Sequence, residues 1–158
     1  MSFNSPIYSS FESQEFNKCR VGIIKSSWNN KITDLLYNSA HSFLIDSGVQ
    51  ENNIISKVVP GSMELVYMSN YLLLENKLDG IIALGCIIKG QTDHDVYISN
   101  AVANGITNVS IKNNKPVIFG VLTTNNLNQA LERCGGKHGD KGLESAQSLL
   151  QIISVSKS

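Results

Sequence analysis

The sequence has few cysteines, no long apolar run and no excess of charge of either sign. Its three cysteines, Cys19, Cys86 and Cys134, are odd in number and far apart, which argues against a disulfide framework or a cysteine metal site. The longest apolar stretch, residues 80–88, is far shorter than the roughly 20 residues of a membrane helix. The first ten residues lack the basic and apolar segments of a signal peptide. These absences predict a cytoplasmic protein that does not enter a membrane.

The charge balance argues against an anionic partner. Lys and Arg number 13, and Asp and Glu also number 13, so nothing favours nucleic acid or an anionic membrane surface. A net charge near zero does permit self-association. The 158 residues, 42% of them hydrophobic, suit one compact domain. We expect that domain to span residues 19–158, preceded by a polar arm over residues 1–18.

Apolar runs alternate with helical patterns along the chain. Mainly apolar runs predict strands over 21–24, 54–59, 81–88 and 117–122, and Ser56 and Lys57 interrupt the second of them. Apolar residues spaced by three and four predict helices over 32–44, 63–74, 98–109, 127–133 and 143–153. Strands that alternate with helices form parallel sheets with right-handed crossovers. The pattern therefore predicts a three-layer α/β/α sandwich around a four-stranded parallel sheet.

Ligands of such sheets bind beyond the carboxyl ends of the strands. The loops predicted there are 26–30, 60–64, 88–94 and 122–125. In the third loop, Gly90 and a helix cap at Thr92 would expose backbone N–H groups to a phosphate. His94 would then lie in the first helical turn, where it could transfer protons near neutral pH. The alternative is an ordinary solvated histidine.

Two further segments are candidates for binding. Residues 133–142 (RCGGKHGDKG) combine three cations with four glycines, which suits the binding of an anion. The alternative is an ordinary loop between two helices, with a C-cap glycine and solvated lysines. Trp28 and Asn29 offer a flat face and a hydrogen-bonding amide to a heteroaromatic ring, whereas the alternative is a tryptophan that caps the core. Glu64 at a helix start suits a polyhydroxylated ligand, or it merely complements the helix dipole.

Together these segments resemble the lumazine synthase family over residues 20–153. The resemblance rests on segments 26–29 (SSWN), 60–64 (PGSME), 85–94 (GCIIKGQTDH), 116–123 (PVIFGVLT), 130–133 (ALER) and 137–142 (KHGDKG), in the family's order and spacing. It implies a flavodoxin-like sheet and the condensation of 5-amino-6-(D-ribitylamino)uracil with 3,4-dihydroxy-2-butanone 4-phosphate. The product would be 6,7-dimethyl-8-ribityllumazine, formed with loss of phosphate and water and without a metal or organic cofactor.

The resemblance also implies roles for individual residues. His94 would be the catalytic residue, Trp28 would stack on the pyrimidine, and Asn29 and Glu64 would hold the ribityl chain. The other positions implied for the pyrimidine and ribityl groups are Gly61, Ser62, Met63, Cys86, Ile87, Ile88 and Phe119, and those for the phosphate are Gln91, Thr92, Arg133 and Lys141.

The family's site lies between subunits of a pentamer, so Phe119, Arg133 and Lys141 are expected to come from a neighbour. The short turn 135–142 and an arm long enough to add a strand to a neighbour's sheet favour a sixty-subunit shell over a lone pentamer. The expected partners are small-molecule substrates and copies of the chain, with riboflavin synthase as a further one. Neither nucleic acid nor a membrane is expected.

Four positions depart from the family's commonest pattern, namely Lys89, Asp95, Met63 and Asp140, and two rival interpretations accompany the resemblance. Asp95 stands where Phe or Tyr is frequent in the family, and it could change the orientation or pKa of His94. The first rival is a domain that binds flavin mononucleotide, but the loop 26–29 lacks the glycine of a phosphate loop. The second rival is a shell or flavin-storage protein with little activity. The presence of Trp28, Glu64, His94 and Arg133 argues against it.

Overall fold

The computed structural model describes residues 16–157, which fold around one parallel sheet. Its strands are β1 (Val21–Ser26), β2 (Ile54–Val59), β3 (Gly80–Ile88) and β4 (Val117–Thr124). They lie in the order β2-β1-β3-β4, and every neighbouring pair is parallel. The prediction of a four-stranded parallel sheet is confirmed. Two strands run two residues further than predicted, because polar residues such as Lys25 and Ser26 continue the ladder beyond the apolar run.

Helices cover both faces of the sheet. The helices are α1 (Asn30–Asp46), α2 (Ser62–Glu75), α3 (His94–Asn113), α4 (Leu127–Leu131) and α5 (Lys141–Lys157), with a 3₁₀ turn at Glu51–Asn53. Helices α1 and α5 pack together on one face, and α2 and α3 pack together on the other. This is the expected three-layer sandwich. Within the described residues, no helix has the length and hydrophobicity that crossing a membrane requires.

Side chains of the strands alternate between the two faces, as the two-residue period of a strand requires. In β1, Val21 and Ile23 pack under α1 and α5, while Ile24 packs under α2 and α3. In β3, Ile82 and Ile81 divide in the same way. Because both faces of the inner strands are buried, β3 is apolar along its whole length and β1 is apolar up to Ile24.

The glycine-rich turn differs from its prediction. Residues Cys134–Gly136 form β5 and Gly139–Asp140 form β6, which pair as a small antiparallel hairpin. Gly135 and Gly139 have φ of 92° and 89°, a left-handed conformation that favours glycine. A strand this short carries no detectable period, so the sequence showed only a turn.

The predicted arm lies largely outside the described residues, since residues 1–15 are not among them. The described chain begins at Phe16, whose side chain is 1% exposed and packs into the core under α1 and α5. The expectation that the arm adds a strand to a neighbour's sheet therefore falls on residues that the structure does not describe.

Asp140 joins the hairpin to two helices. One carboxylate oxygen, Oδ1, accepts hydrogen bonds from the backbone N–H groups of Gly142 (2.9 Å) and Leu143 (3.1 Å), which would otherwise be unpaired at the start of α5. Its other oxygen accepts one from the Ser39 hydroxyl of α1 (2.6 Å). This carboxylate fixes where α5 begins and how closely it approaches α1.

Candidate active site

A pocket of about 650 Å³ lies at the carboxyl edge of the sheet. Its wall comes from three of the four predicted loops, those that follow β1, β2 and β3. The fourth predicted loop, after β4, contributes no lining residue among those the structure describes. The pocket thus lies where ligands of parallel α/β sheets bind.

The turn after β1 is fastened to both neighbouring strands. The backbone N–H of Trp28 donates to the Pro60 carbonyl (3.1 Å), and the Asn29 side-chain amide donates to the Cys86 carbonyl (2.8 Å). Asn29 has φ of 57°, a left-handed conformation that asparagine tolerates better than most residues. The Trp28 side chain is 73% exposed, so the alternative of a core-capping tryptophan is wrong. Its ring borders the pocket from an anchored backbone.

Helix α2 begins at the pocket, and one oxygen of its Glu64 carboxylate already accepts a hydrogen bond from the backbone. The Gly61 N–H donates to Glu64 Oε2 (2.8 Å), which satisfies one of the unpaired donors of the first turn. Glu64 therefore has the structural role that was the alternative to ligand binding. It also borders the pocket, so its other oxygen can accept a ligand hydroxyl.

Helix α3 begins at His94, four residues before the apolar pattern that predicted it, and His94 lies in its first turn, as expected, beside the pocket. The expectation that Thr92 caps this helix is wrong, because the N-cap residue is Asp93, which makes no side-chain cap hydrogen bond. The first N–H groups of α3 are therefore not occupied by a capping side chain. Thr92 borders the pocket one residue ahead of the cap.

The pocket collects most of the predicted residues but not all of them. Those in its wall are Trp28, Asn29, Gly61, Ser62, Met63, Glu64, Cys86, Ile87, Ile88, Thr92 and His94. Those outside it are Gln91, Phe119, Arg133 and Lys141. Arg133 and Lys141 instead meet each other at the base of the β5–β6 hairpin, where the Lys141 N–H donates to the Arg133 carbonyl (2.9 Å). Phe119 lies on the edge strand β4 and is 37% exposed.

The charge of the pocket does not suit a phosphate without help. Among residues 16–157, the charged side chains in its wall are Glu64 and Asp95, and neither lysine nor arginine lines it. The unpaired N–H groups at the start of α3 attract an anion, whereas the two carboxylates repel one. An anionic ligand would need cations from outside this wall.

Three lining residues, Pro60, Asp95 and Ile98, were not predicted as site residues, and a fourth, Gly90, was predicted only for its part in exposing backbone N–H groups. Pro60 and Gly90 lie in loops that the sequence had already placed at this edge. Ile98 follows His94 by four residues, a spacing that puts both on one face of a helix and could have indicated it. Asp95 precedes Ile98 by three residues, so the same helical spacing also places it on this face.

Burial decides the chemistry of the thiols. All three cysteines lie in the described part of the chain and are free. Burial raises the pKa of Cys19 and of Cys86 to about 12, and it raises the pKa of Cys134 to about 11. Cys86 borders the pocket, but a thiol that stays protonated is no nucleophile at neutral pH.

We therefore expect the native thiols to resist alkylation. With a pKa of about 12, roughly one Cys86 thiol in ten thousand is ionised at pH 8. Folded protein should show almost no reaction with a disulfide reagent at that pH, and protein unfolded in guanidinium should release three thiols. Rapid modification of any one thiol in the folded protein would contradict the assignment.

Fold and pocket define a class, a small α/β sandwich with a candidate ligand site at the carboxyl edge of its sheet. The profile of the family described as 6,7-dimethyl-8-ribityllumazine synthase matches residues 18–157. A protein of that name from Cytophaga hutchinsonii is 48% identical over 132 residues, 84% of this chain and 83% of the relative. Those from Porphyromonas gingivalis and Parabacteroides distasonis are 44% and 36% identical, covering 87% and 94% of this chain and 86% and 97% of theirs. The chain belongs to the 6,7-dimethyl-8-ribityllumazine synthase family.

Proposed function

We propose that this chain condenses 5-amino-6-(D-ribitylamino)uracil with 3,4-dihydroxy-2-butanone 4-phosphate, a step of riboflavin biosynthesis. The product is 6,7-dimethyl-8-ribityllumazine, with phosphate and water released. The observation that carries the proposal is that Trp28, Glu64 and His94 border one pocket in a chain that matches this family from residue 18 to residue 157. A stacking surface, an acceptor and a proton-transfer group are what the reaction needs.

Each group in the wall has a role in the proposed reaction. The exposed Trp28 ring stacks on the pyrimidine, and the uncommitted oxygen of Glu64 accepts a hydrogen bond from the ribityl chain. Thr92 and the unpaired N–H groups of α3 face the phosphate end. His94 takes and returns protons as the amine adds to the ketone, as the carbinolamine loses water to give the imine, and as phosphate leaves.

Positioning supplies much of the rate in this scheme. An amine and a ketone react with each other without a metal or an organic cofactor, so the pocket contributes chiefly by holding them in contact. The test is to mix purified protein with both substrates in chelated buffer and to follow the fluorescence of the lumazine. Product formation no faster than the uncatalysed background would refute the proposal and favour a shell or storage protein with little activity. Stoichiometric flavin mononucleotide in the purified protein would favour the flavin-binding rival.

We further propose that the site is completed by a neighbouring copy, with Phe119, Arg133 and Lys141 as its contributions. The absence of a cation from the wall formed by residues 16–157 supports this, because the phosphate needs one. A second support is an exposed apolar stripe on α2. Its members, Met63, Tyr67, Tyr71 and Leu74, recur at helical spacing and are 43–70% exposed. Such a stripe is typical of a surface that another protein covers.

The proposed assembly is a pentamer, and twelve pentamers form the sixty-subunit shell that the short hairpin favours. Riboflavin synthase as an enclosed partner, and a cytoplasmic location in keeping with three free thiols, belong to the same proposal. Light scattering on a size-exclusion column tests the assembly. With a chain of 17.3 kDa, the shell weighs about one megadalton. A mass near five chains would refute the shell and leave the pentamer, whereas a monomer would refute the shared site.

Replacing Arg133 with alanine should chiefly raise the KM for the butanone phosphate. Loss of a charge-assisted contact costs about 1.5–3 kcal/mol, or roughly 10- to 150-fold in KM. Arg20→Ala is the matched control, because it removes the same charge at the opposite edge of the sheet, just before β1. Steady-state kinetics with each substrate varied in turn would show the effect. Equal KM values for the two variants would remove Arg133 from the site.

A further inference from the structure

Asp95 borders the pocket from the first turn of α3, next to His94. It shares one face of the helix with Ile98, three residues further on, which also borders the pocket. Its backbone carbonyl accepts a hydrogen bond from the Ser99 hydroxyl (2.5 Å), so the first turn is tied locally. The side chain is only partly exposed.

One oxygen of the Asp95 carboxylate lacks a hydrogen-bond partner among the residues that the structure describes. This oxygen, Oδ1, is sealed from solvent and accepts a hydrogen bond from none of residues 16–157. Burying a carboxylate oxygen without water or a donor costs free energy. A hydrogen bond from a ligand donor to this group would therefore stabilise binding more than the same bond at a solvated surface. The torsion that turns a carboxylate is broad, so either oxygen can meet a donor arriving in the pocket at small cost.

The same observation bears on His94. No hydrogen bond joins the imidazole to Asp95 Oδ1, so the carboxylate does not orient His94 through that oxygen. The start of α3 does favour a negative charge at this position, and that would be its only role if no ligand reached it. A donor on a ligand bound in the pocket would satisfy the acceptor that residues 16–157 leave unpaired.

We propose that Asp95 is a substrate-binding residue, whose carboxylate accepts a hydrogen bond from a hydroxyl or amino group of the ribitylaminouracil. The inference rests on the proposed function. A phosphate dianion has no proton to donate and is repelled by a carboxylate. At its own carboxylate, Asp95 therefore favours a donor group of the ribitylaminouracil over the phosphate.

The experiment compares Asp95→Ala and Asp95→Asn with Asp93→Asn. Asp93 is the N-cap residue of the same helix, makes no side-chain cap hydrogen bond and does not line the pocket, so its variant controls for a lost charge nearby. Two readouts are needed: the Kd of ribitylaminouracil by calorimetry, and the KM for each substrate. We expect Asp95→Ala to raise the Kd and the KM for the amine about 10-fold or more. The KM for the butanone phosphate should stay the same or fall.

We expect the affinity for the amine to fall from the wild type to Asp95→Asn and further to Asp95→Ala, because asparagine keeps an acceptor but loses the charge. Variants that lower only the melting temperature would overturn the inference in favour of a role at the helix start. A shifted pH profile of kcat with an unchanged Kd would overturn it in favour of action through His94. If the wild-type protein binds neither substrate, the proposed function fails. If the wild-type protein turns over normally and the Asp95 variants have its Kd and KM values, only this inference is refuted.

Discussion

Replacing His94 with alanine is expected to lower kcat about 100-fold or more. A positioned general acid–base group contributes typically 10²–10⁴-fold to a rate, and His94 is the imidazole that borders the pocket from the start of α3. Because the substrates would still be held by Trp28, Glu64 and the neighbour's cation, the KM values should change little. Pre-steady-state mixing of enzyme with both substrates would separate the chemical step from binding.

His41→Ala is the matched control for this variant. His41 lies on α1, within hydrogen-bonding distance of Glu51 (3.1 Å), and it is outside the pocket. Loss of that exposed contact should leave kcat unchanged. If both histidine variants have the kcat of the wild type, His94 is not the proton-transfer group.

Gly142→Ala is expected to be the most destabilising of these substitutions. A Cβ at this position would lie 2.1 Å from the carbonyl oxygen of Leu36, which belongs to the backbone of α1 and cannot rotate away. Helix α5 would have to move off α1, opening the packing of Leu36 and Ala146, both fully buried. Overpacking of this kind costs about 3 kcal/mol, which should lower the melting temperature by roughly 6–12 °C.

Gly90→Ala supplies the control, since a Cβ there meets nothing within 4 Å. Its φ is not left-handed, so alanine fits, and the variant should be neutral or slightly more stable through the unfolded chain. Thermal melts of both variants at one protein concentration would test the pair. A Gly142→Ala protein that melts with wild type would show that the close approach of α5 to α1 is not needed.

Much of the fold could be predicted because the spacing of apolar residues along the chain differs between strands and helices. The run over residues 81–88 is apolar without interruption because both faces of β3 are covered, and this alone distinguishes a central parallel strand from an edge. The β5–β6 hairpin could not be predicted in this way. Its strands are three and two residues long, too short to show a period.

The candidate site was predictable only as loops. Parallel strands place the turns that follow β1, β2 and β3 at one edge, so residues 28–29, 61–64, Thr92 and His94 were expected to lie together, and they border one pocket. The cap at Thr92 was predicted wrongly because Ser, Thr, Asp and Asn all suit an N-cap, and the choice among adjacent residues depends on how the chain enters the helix.

The sequence alone determined the layers, the sheet and the edge at which a ligand would bind, because these follow from residue periodicity and from the chirality of crossovers. Only the tertiary structure decided which side chains share a wall. It separated Phe119, Arg133 and Lys141 from the pocket, left Asp95 with an unpaired buried oxygen, and pressed Gly142 against the α1 backbone. Such contacts join residues far apart in sequence, and their distances depend on how helices and strands pack rather than on any local pattern.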